Sequence, residues 1–311
     1  MTRDDLDRFA SELGIDAIGA APAEPYVDTE QQIRERRGRG LFADMRFTMA
    51  QPEVSCHPEL LVPGAQSVVS AALCYWEPGL EPGLGEGRLP RYTWHDAYAE
   101  LRGKLERLGE RLGGTYRVLV DENQHVDREA AARAGVGFYG KNTMIITRRH
   151  GSWVVLGTLV TDAEIEPAAP LTLDCGECRL CIDACPTGAL DEPGVLDSTR
   201  CLSYWTQSRQ QIPDEYAEEL GDRVYGCDIC QDVCPWNRGI EKRRAGPPRS
   251  DDAEPVISLR DWLESDPREL SRRYDRLYVP RNDGRFLQRN ARIVAANEAR
   301  RGPVSGPGRA S

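Results

Sequence analysis

After Thr2, apolar residues fall at Leu6, Phe9, Ala10 and Leu13, a helical spacing closed by Gly14, and this predicts an amphipathic opening helix. Residues 15–21 read as a short buried strand, and residues 65–75, carrying Val68, Val69, Leu73 and Cys74, as a longer one. Between them, residues 22–64 are rich in Pro and Arg and poorly periodic, which predicts short helices and loops wrapped over a core. A Gly/Pro-rich loop over 77–90 leads to a helix over 98–112, whose Leu101, Leu105, Leu108 and Leu112 share one face. Residues 116–120 (Tyr-Arg-Val-Leu-Val) then predict a central strand that gives out at Asp121. Helix-forming residues 128–134 follow, and β-branched stretches at 144–147 and 153–160 read as strands.

A Pro/Ala/Glu linker over 162–170 marks the end of this first unit. Residues 236–255 are charged and Pro-rich, residues 262–278 and 284–299 predict helices, and Gly, Pro, Ser and Arg over the last dozen residues predict disorder. The expected plan is an α/β domain over 1–165, a cysteine-rich domain over 166–240, a short helical region over 241–299 and a tail over 300–311. At 311 residues the chain can bury a sizeable core in two or three domains. No apolar run approaches membrane-spanning length, and no secretory leader is visible, so a cytoplasmic protein without a membrane partner is expected.

Charge refines this picture. The net charge of −10 argues against an avid nucleic-acid binder as a whole. From Trp236 onward, however, there are 17 Lys and Arg against 11 Asp and Glu, so this end carries +6 and the rest −16. An Arg-rich end on an acidic body can meet a phosphate backbone locally, or can simply be a solvated tail.

Eight of the ten cysteines lie between 175 and 234. The first group, Cys175, Cys178, Cys181 and Cys185 followed by Pro186, has the C-x2-C-x2-C-x3-C-P register of bacterial ferredoxins, in which the fourth thiolate crosses to a second cubane. The second group is Cys227, Cys230 and Cys234 followed by Pro235, with Cys201 between the two groups. The count closes on two 4Fe-4S clusters: Cys175, Cys178, Cys181 and Cys234 for one, Cys185, Cys201, Cys227 and Cys230 for the other. Zinc knuckles share the C-x2-C spacing but rarely need the triple register or the trailing proline. A disulfide framework suits neither the chain length nor the expected compartment.

Other candidates carry weaker signals. Asp121, at a strand end ahead of a loop, stands where functional groups collect, although an acid there can equally cap the next turn. Gly135-Val-Gly137-Phe-Tyr-Gly140 matches G-x-G-x-x-G literally, but a helix precedes it and a strand follows, the reverse of a dinucleotide site. These glycines therefore predict a tight helix-to-strand connection that lets a large flat ligand approach the backbone. Lys141-Asn142 can be polar contacts or ordinary turn residues. Cys74 reads as a small core hydrophobe, and Cys56-His57 lacks partners at metal spacing.

Taken together, the Ala-Gly-Val-Gly-Phe-Tyr-Gly-Lys-Asn run at 134–142, Gly-Ser-Trp-Val-Val-Leu-Gly at 151–157, Cys201-Leu-Ser-Tyr-Trp-Thr-Gln and Tyr-Gly-Cys227-Asp-Ile-Cys resemble the epoxyqueuosine reductase family over roughly residues 1 to 299. The resemblance implies an α/β (α+β) protein: a nitroreductase-like cobalamin-binding domain, a bacterial-ferredoxin-like two-cluster domain and a short helical C-terminal segment. It implies reduction of epoxyqueuosine to queuosine at the wobble position of tRNA, with cobalamin and two 4Fe-4S clusters as cofactors. An external flavodoxin or ferredoxin would supply electrons to a monomer.

Val120-Asp121 and Asp127-Arg128 keep the family's register ahead of Gly135, which makes Asp121 the expected proton donor. By the same resemblance Ile145 and Leu156 are similar to positions lining the corrinoid, Ser203 and Asp228 to polar groups reaching it from the cluster side, and Arg209 to a basic residue near the RNA. The departures are Ser55 for an arginine, Ala97-Tyr98-Ala99 for Asp-Tyr-His, and the lack of a proline after the acid. The helical repeats that normally follow Arg289-Asn290-Ala291 and help hold tRNA are also missing. Two other readings share some of these features: a corrinoid reductase of a small molecule, like a reductive dehalogenase, and a non-catalytic iron-sulfur electron carrier. No histidine motif for cobalt is present, and none of His57, His95, His125 and His150 fits one.

Overall fold

The computed structural model describes residues 1–246 and 253–301. The tail expected over 300–311 therefore lies, from residue 302 onward, outside the described residues. The opening helix Arg3–Leu13 forms as its spacing requires. The Thr2 side chain accepts from the Asp5 N–H, Leu6 and Ala10 are buried, and Gly14 ends the helix in the left-handed region at φ 67°.

The strands Ser67–Cys74 and Val154–Thr161 are buried at every position, which only the interior of a sheet covered on both faces can satisfy. They pair with each other, with Ala17–Pro22 on one side and Tyr116–Leu119 on the other, and every pairing is antiparallel. Successive residues take opposite faces. Val69 and Leu159 join a core with Leu101, Leu105 and Leu108 of the helix Ala97–Leu112, while Val68 and Val160 pack with Ala130 of the helix Asp127–Arg133. Full burial of each of those three leucines contributes about 1.5–3 kcal/mol. The strand leading to Asp121, expected to be central, is an edge strand of this sheet. Edge and centre both read as short apolar runs, so the pattern alone does not separate them.

The loop over 77–90 does more than cover a site. Its residues Glu86–Arg88 form a strand with Val256–Ser258. Leu89 and Trp94 then enter a second core with Trp262, Leu270, Tyr274, Leu287 and Val294. The helix expected over 262–278 is two, Leu259–Glu264 and Pro267–Arg273. Pro267 lacks an N–H, and the Asp266 carboxylate takes the Arg268 and Glu269 N–H groups, so the second helix starts afresh there. The helix Arg285–Arg301 packs on the first of these, and Gln288 donates to the carbonyls of Trp262 and Ser265 at its end.

The segment after the sheet is pinned rather than loose. Glu166 N–H bonds the Met1 carbonyl, Ala168 N–H the Ala20 carbonyl, and Ile165 N–H the Ser67 hydroxyl. It delivers the chain to the cysteine-rich unit, where the short helices Leu180–Asp183 and Ile229–Asp232 pack together. Among the described residues no helix is long and apolar enough to cross a membrane.

Candidate active site

Two hollows account for the eight cysteines. Cys175, Cys178, Cys181 and Cys234 surround the smaller one, together with Lys141, Asn142, Ile146, Pro235 and Trp236. Cys185, Cys201, Cys227 and Cys230 line a larger one. The fold thus brings together the two quartets that the count predicts. Among the described residues no group of His, Cys, Asp or Glu converges tightly enough to hold a single metal ion. Burial pushes the Cys227 thiol up to about 12 and the Cys230 thiol well above its ordinary range. Such thiols lose their protons to coordinated metal rather than to solvent.

Lys141 and Asn142 are contacts, not bare turn residues. The Lys141 ammonium donates to the carbonyls of Gly176 at 2.6 Å and Cys178 at 3.0 Å, and the Asn142 amide to the carbonyl of Cys230 at 3.4 Å. They lie in the hairpin of Phe138–Tyr139 with Ile145–Ile146, whose Phe138 and Ile146 pack against Cys234. The glycines before it serve this packing rather than a ligand. A Cβ on Gly137 would lie 2.4 Å from Ile145 Cγ2, and one on Gly135 2.5 Å from the Ala169 carbonyl oxygen.

The larger hollow is a cavity of about 400 Å³, opening to solvent through a mouth that brings the atom-free space to 1560 Å³. The first figure lies in the range of small-molecule sites, and the open mouth admits a larger ligand. Its walls carry Tyr75, Tyr92, Tyr98 and Tyr225 with Val154 and Met144, and polar groups from Ser203, Gln207 and Asp228. Asp228 is held by the Arg91 N–H at 2.9 Å and the Gln231 amide at 3.2 Å, yet burial pushes its carboxyl up to about 6.

Asp121 faces the same cavity from the sheet side. Its backbone is left-handed at φ 54°, unusual for a residue with a side chain. It does not cap the following helix, whose N-cap is Val126. Desolvation raises its pKa, opposed by the Arg102 guanidinium. Burial also pushes the nearby Tyr98 hydroxyl up, with Asp121 and Asp127 adding to the effect.

Not every expected lining residue is on the wall. Ile145 and Leu156 lie in the main core, while Met144, one residue before Ile145, and Val154, two residues before Leu156, line the cavity. Val154 and Leu156 share a strand face and differ in their position along it, so only the end of that strand reaches the cavity. Arg209 lines a separate open groove with Arg289 and Arg292. Cys56 and Cys74 are buried, with thiols pushed up to about 11 by desolvation, and His57 pairs with Glu30 and Glu59. Arg128, part of the Asp127-Arg128 pair, also lines the cavity, as do Phe47, Arg276 and Tyr278, which neither spacing nor motif marks in the sequence.

A family model described as a 4Fe-4S double cluster binding domain matches residues 174–237. A second, described as Epoxyqueuosine reductase QueG, DUF1730, matches residues 56–127, a stretch that contains Asp121. An epoxyqueuosine reductase of Bacillus cereus is 34% identical over 307 residues, covering 95% of this chain and 80% of that protein. The chain belongs to the epoxyqueuosine reductase family.

Structures agree with the family assignment. An epoxyqueuosine reductase from Bacillus subtilis, solved with its catalytic aspartate loop swung out of the active site, superposes at a TM-score of 0.85 with 32% identity, covering 95% of this chain and 81% of that one. Another, solved with an epoxyqueuosine-modified stem loop of tyrosine tRNA, superposes at 0.83 with 32% identity and the same coverage. Within the family fold, Ser55, which stands where an arginine is expected, has a local role here. Its hydroxyl donates to the Thr48 carbonyl at 2.7 Å and its own carbonyl accepts from Val126 N–H at 3.1 Å.

Proposed function

We propose that this chain reduces epoxyqueuosine to queuosine at the wobble position of tRNA, in the cytoplasm and as a monomer, with a cobalamin in the large cavity and Asp121 as proton donor. One observation carries the reading: a partly desolvated carboxyl, Asp121, and the second cysteine quartet line the same cavity. The tRNA stem loop bound by the related structure supports the substrate.

The lining suits a corrinoid. It is rich in tyrosines, carries polar groups from Ser203, Gln207 and Asp228, and includes no histidine of the described residues. Ser203, Asp228 and the backbone at Met144 and Val154 would hold the ring. When bound, the clusters supply single electrons at low potential and the corrinoid a cobalt centre able to store them.

The chain's own residues do the rest. Removing the epoxide oxygen breaks two C–O bonds, consumes two electrons and two protons, and releases water. Asp121 gives one proton to the departing oxygen, and the desolvation that raises its pKa favours the protonated form this role needs. An external flavodoxin or ferredoxin would approach the first quartet, where Leu180 beside Cys181 is half exposed. Arg209 and Arg292 make no ion pair or hydrogen bond among the described residues, so they are free to meet phosphates, whereas Arg289 is committed to the carbonyls of Trp205, Ser208 and Gln210.

The test offers reduced, cobalamin-loaded protein an epoxyqueuosine stem loop and follows RNA mass. Loss of one oxygen is expected from the native chain and not from Asp121→Asn, which should bind cobalamin normally. Near-native turnover by that variant would remove Asp121 from the mechanism. Failure of the native chain to bind cobalamin would favour a simple electron carrier.

A further inference from the structure

Two aromatic side chains stand in solvent at the mouth of the cavity. Phe47 is 42% exposed and Tyr278 51% exposed, both line the cavity, and their ring centroids lie 6.2 Å apart at 67°. They reach this point from opposite ends of the chain, and each is held there. The Phe47 turn is fixed by the Ser55 hydroxyl on the Thr48 carbonyl, by the Tyr204 hydroxyl on Asp44 at 2.6 Å and by Ser198 N–H on the Leu41 carbonyl at 2.8 Å. Tyr278 is fixed by the Tyr225 hydroxyl, which donates to its carbonyl at 3.1 Å. Phe47 itself is left-handed at φ 32°, a conformation that costs free energy and persists only where its surroundings impose it.

Nothing in the fold of the described residues uses these rings: neither belongs to a buried core. Arginines share the cavity with them: Arg128, which donates to the Thr143 carbonyl, and Arg276, paired with Glu254, line it together with Asp121 and Asp228, and Arg46, next to Phe47, is exposed. Exposed aromatic faces with arginines nearby are what single-stranded nucleic acid recognises, because every base has a π-face and every nucleotide a phosphate. A nucleotide that enters a cavity must also leave its stack, and its neighbour then loses a stacking partner.

We propose that Phe47 and Tyr278 form a stacking clamp for the unpaired base next to the nucleotide that enters the cavity. This rests on the reading that the substrate is an RNA loop. The clamp replaces the stacking lost on extrusion and sets the register in which the modified nucleotide points at Asp121.

The experiment uses holoprotein with both clusters and cobalamin, and a stem loop carrying 2-aminopurine beside the wobble position. The native protein should quench the probe on binding. Phe47→Ala/Tyr278→Ala should bind the stem loop on the order of 10-fold more weakly, with no quenching and with KM raised more than kcat is lowered. Tyr278→Phe should restore affinity, and the cobalamin spectrum should be unchanged in all variants. Binding by the double variant within twofold of native, or native binding without quenching, would overturn the clamp while leaving the reductase reading intact. Faster cobalamin loss with unchanged RNA affinity would make the pair a cofactor lid and also overturn it. Native protein that neither binds nor reduces the stem loop would sink the functional reading itself.

Discussion

Arg102 donates to the carbonyl of Val120 at 2.6 Å, and the same guanidinium meets the Glu122 carboxylate at 3.0 Å. One side chain from the helix Ala97–Leu112 thus holds the backbone before Asp121 and the side chain after it, where an edge strand turns into a loop. Its charge also acts on the acid, holding down a pKa that desolvation raises.

Arg102→Gln should therefore raise the pKa of Asp121 further. A general acid works only while protonated, so activity falls as pH rises through its pKa. The descending limb of the pH–rate profile should move to higher pH by up to about one unit in this variant. A limb that stays in place would show that Asp121 does not set it.

Cys201 stands alone between the two cysteine groups, yet it lines the same cavity as Cys185, Cys227 and Cys230. Anaerobically purified native protein should hold about eight irons, and Cys201→Ala about four. Eight irons in the variant would mean that another residue closes the second quartet.

Lys141 ties the first cysteine loop to the sheet domain through the Gly176 and Cys178 carbonyls. Lys141→Met removes a charged donor worth roughly 1–2 kcal/mol and should speed chelator stripping of about half the iron. Equal stripping rates in variant and native protein would confine the contact to the surface.

His125 lies just beyond Asp121, buried against Tyr26 with neither ring nitrogen hydrogen-bonded. Burial lowers its pKa to about 4. An unfolded histidine titrates near 6.5, so between pH 6.5 and 4 the unfolded state binds more protons and stability falls as pH falls. The loss is on the order of 3 kcal/mol across that window. His125→Phe should abolish most of it, making the variant more stable than native at pH 4.5 in urea melts and close to native at pH 7.5. Parallel pH profiles of the two proteins would refute this.

Much of the fold was legible because its signals are local. Thr2 and Gly14 bracket a helix, and four leucines on one face demand a partner sheet. Other elements were not, for physical reasons. Glu86–Arg88 is too short and polar to read as a strand and exists because Val256–Ser258 pairs with it. The break at Asp266-Pro267 was masked by apolar spacing that continues across it. The wall positions moved by one residue from Ile145 to Met144 and by two from Leu156 to Val154, because the place where each strand meets the cavity is set by partners remote in the chain.

Residue spacing alone determined which thiols can share a cluster, since the reach of a few backbone bonds limits what three neighbouring cysteines can hold. It also determined that an acid ends a strand ahead of a helix. Which face that strand end presents, and what stands across from it, depended on tertiary packing. Only when the helix Asp127–Arg133 and the hairpin after it dock on the cluster loops does Asp121 meet Cys185, Cys201, Cys227 and Cys230 across one cavity. Phe47 and Tyr278 come together there for the same reason: long-range contacts, not neighbouring residues, bring the two ends of the chain to one mouth.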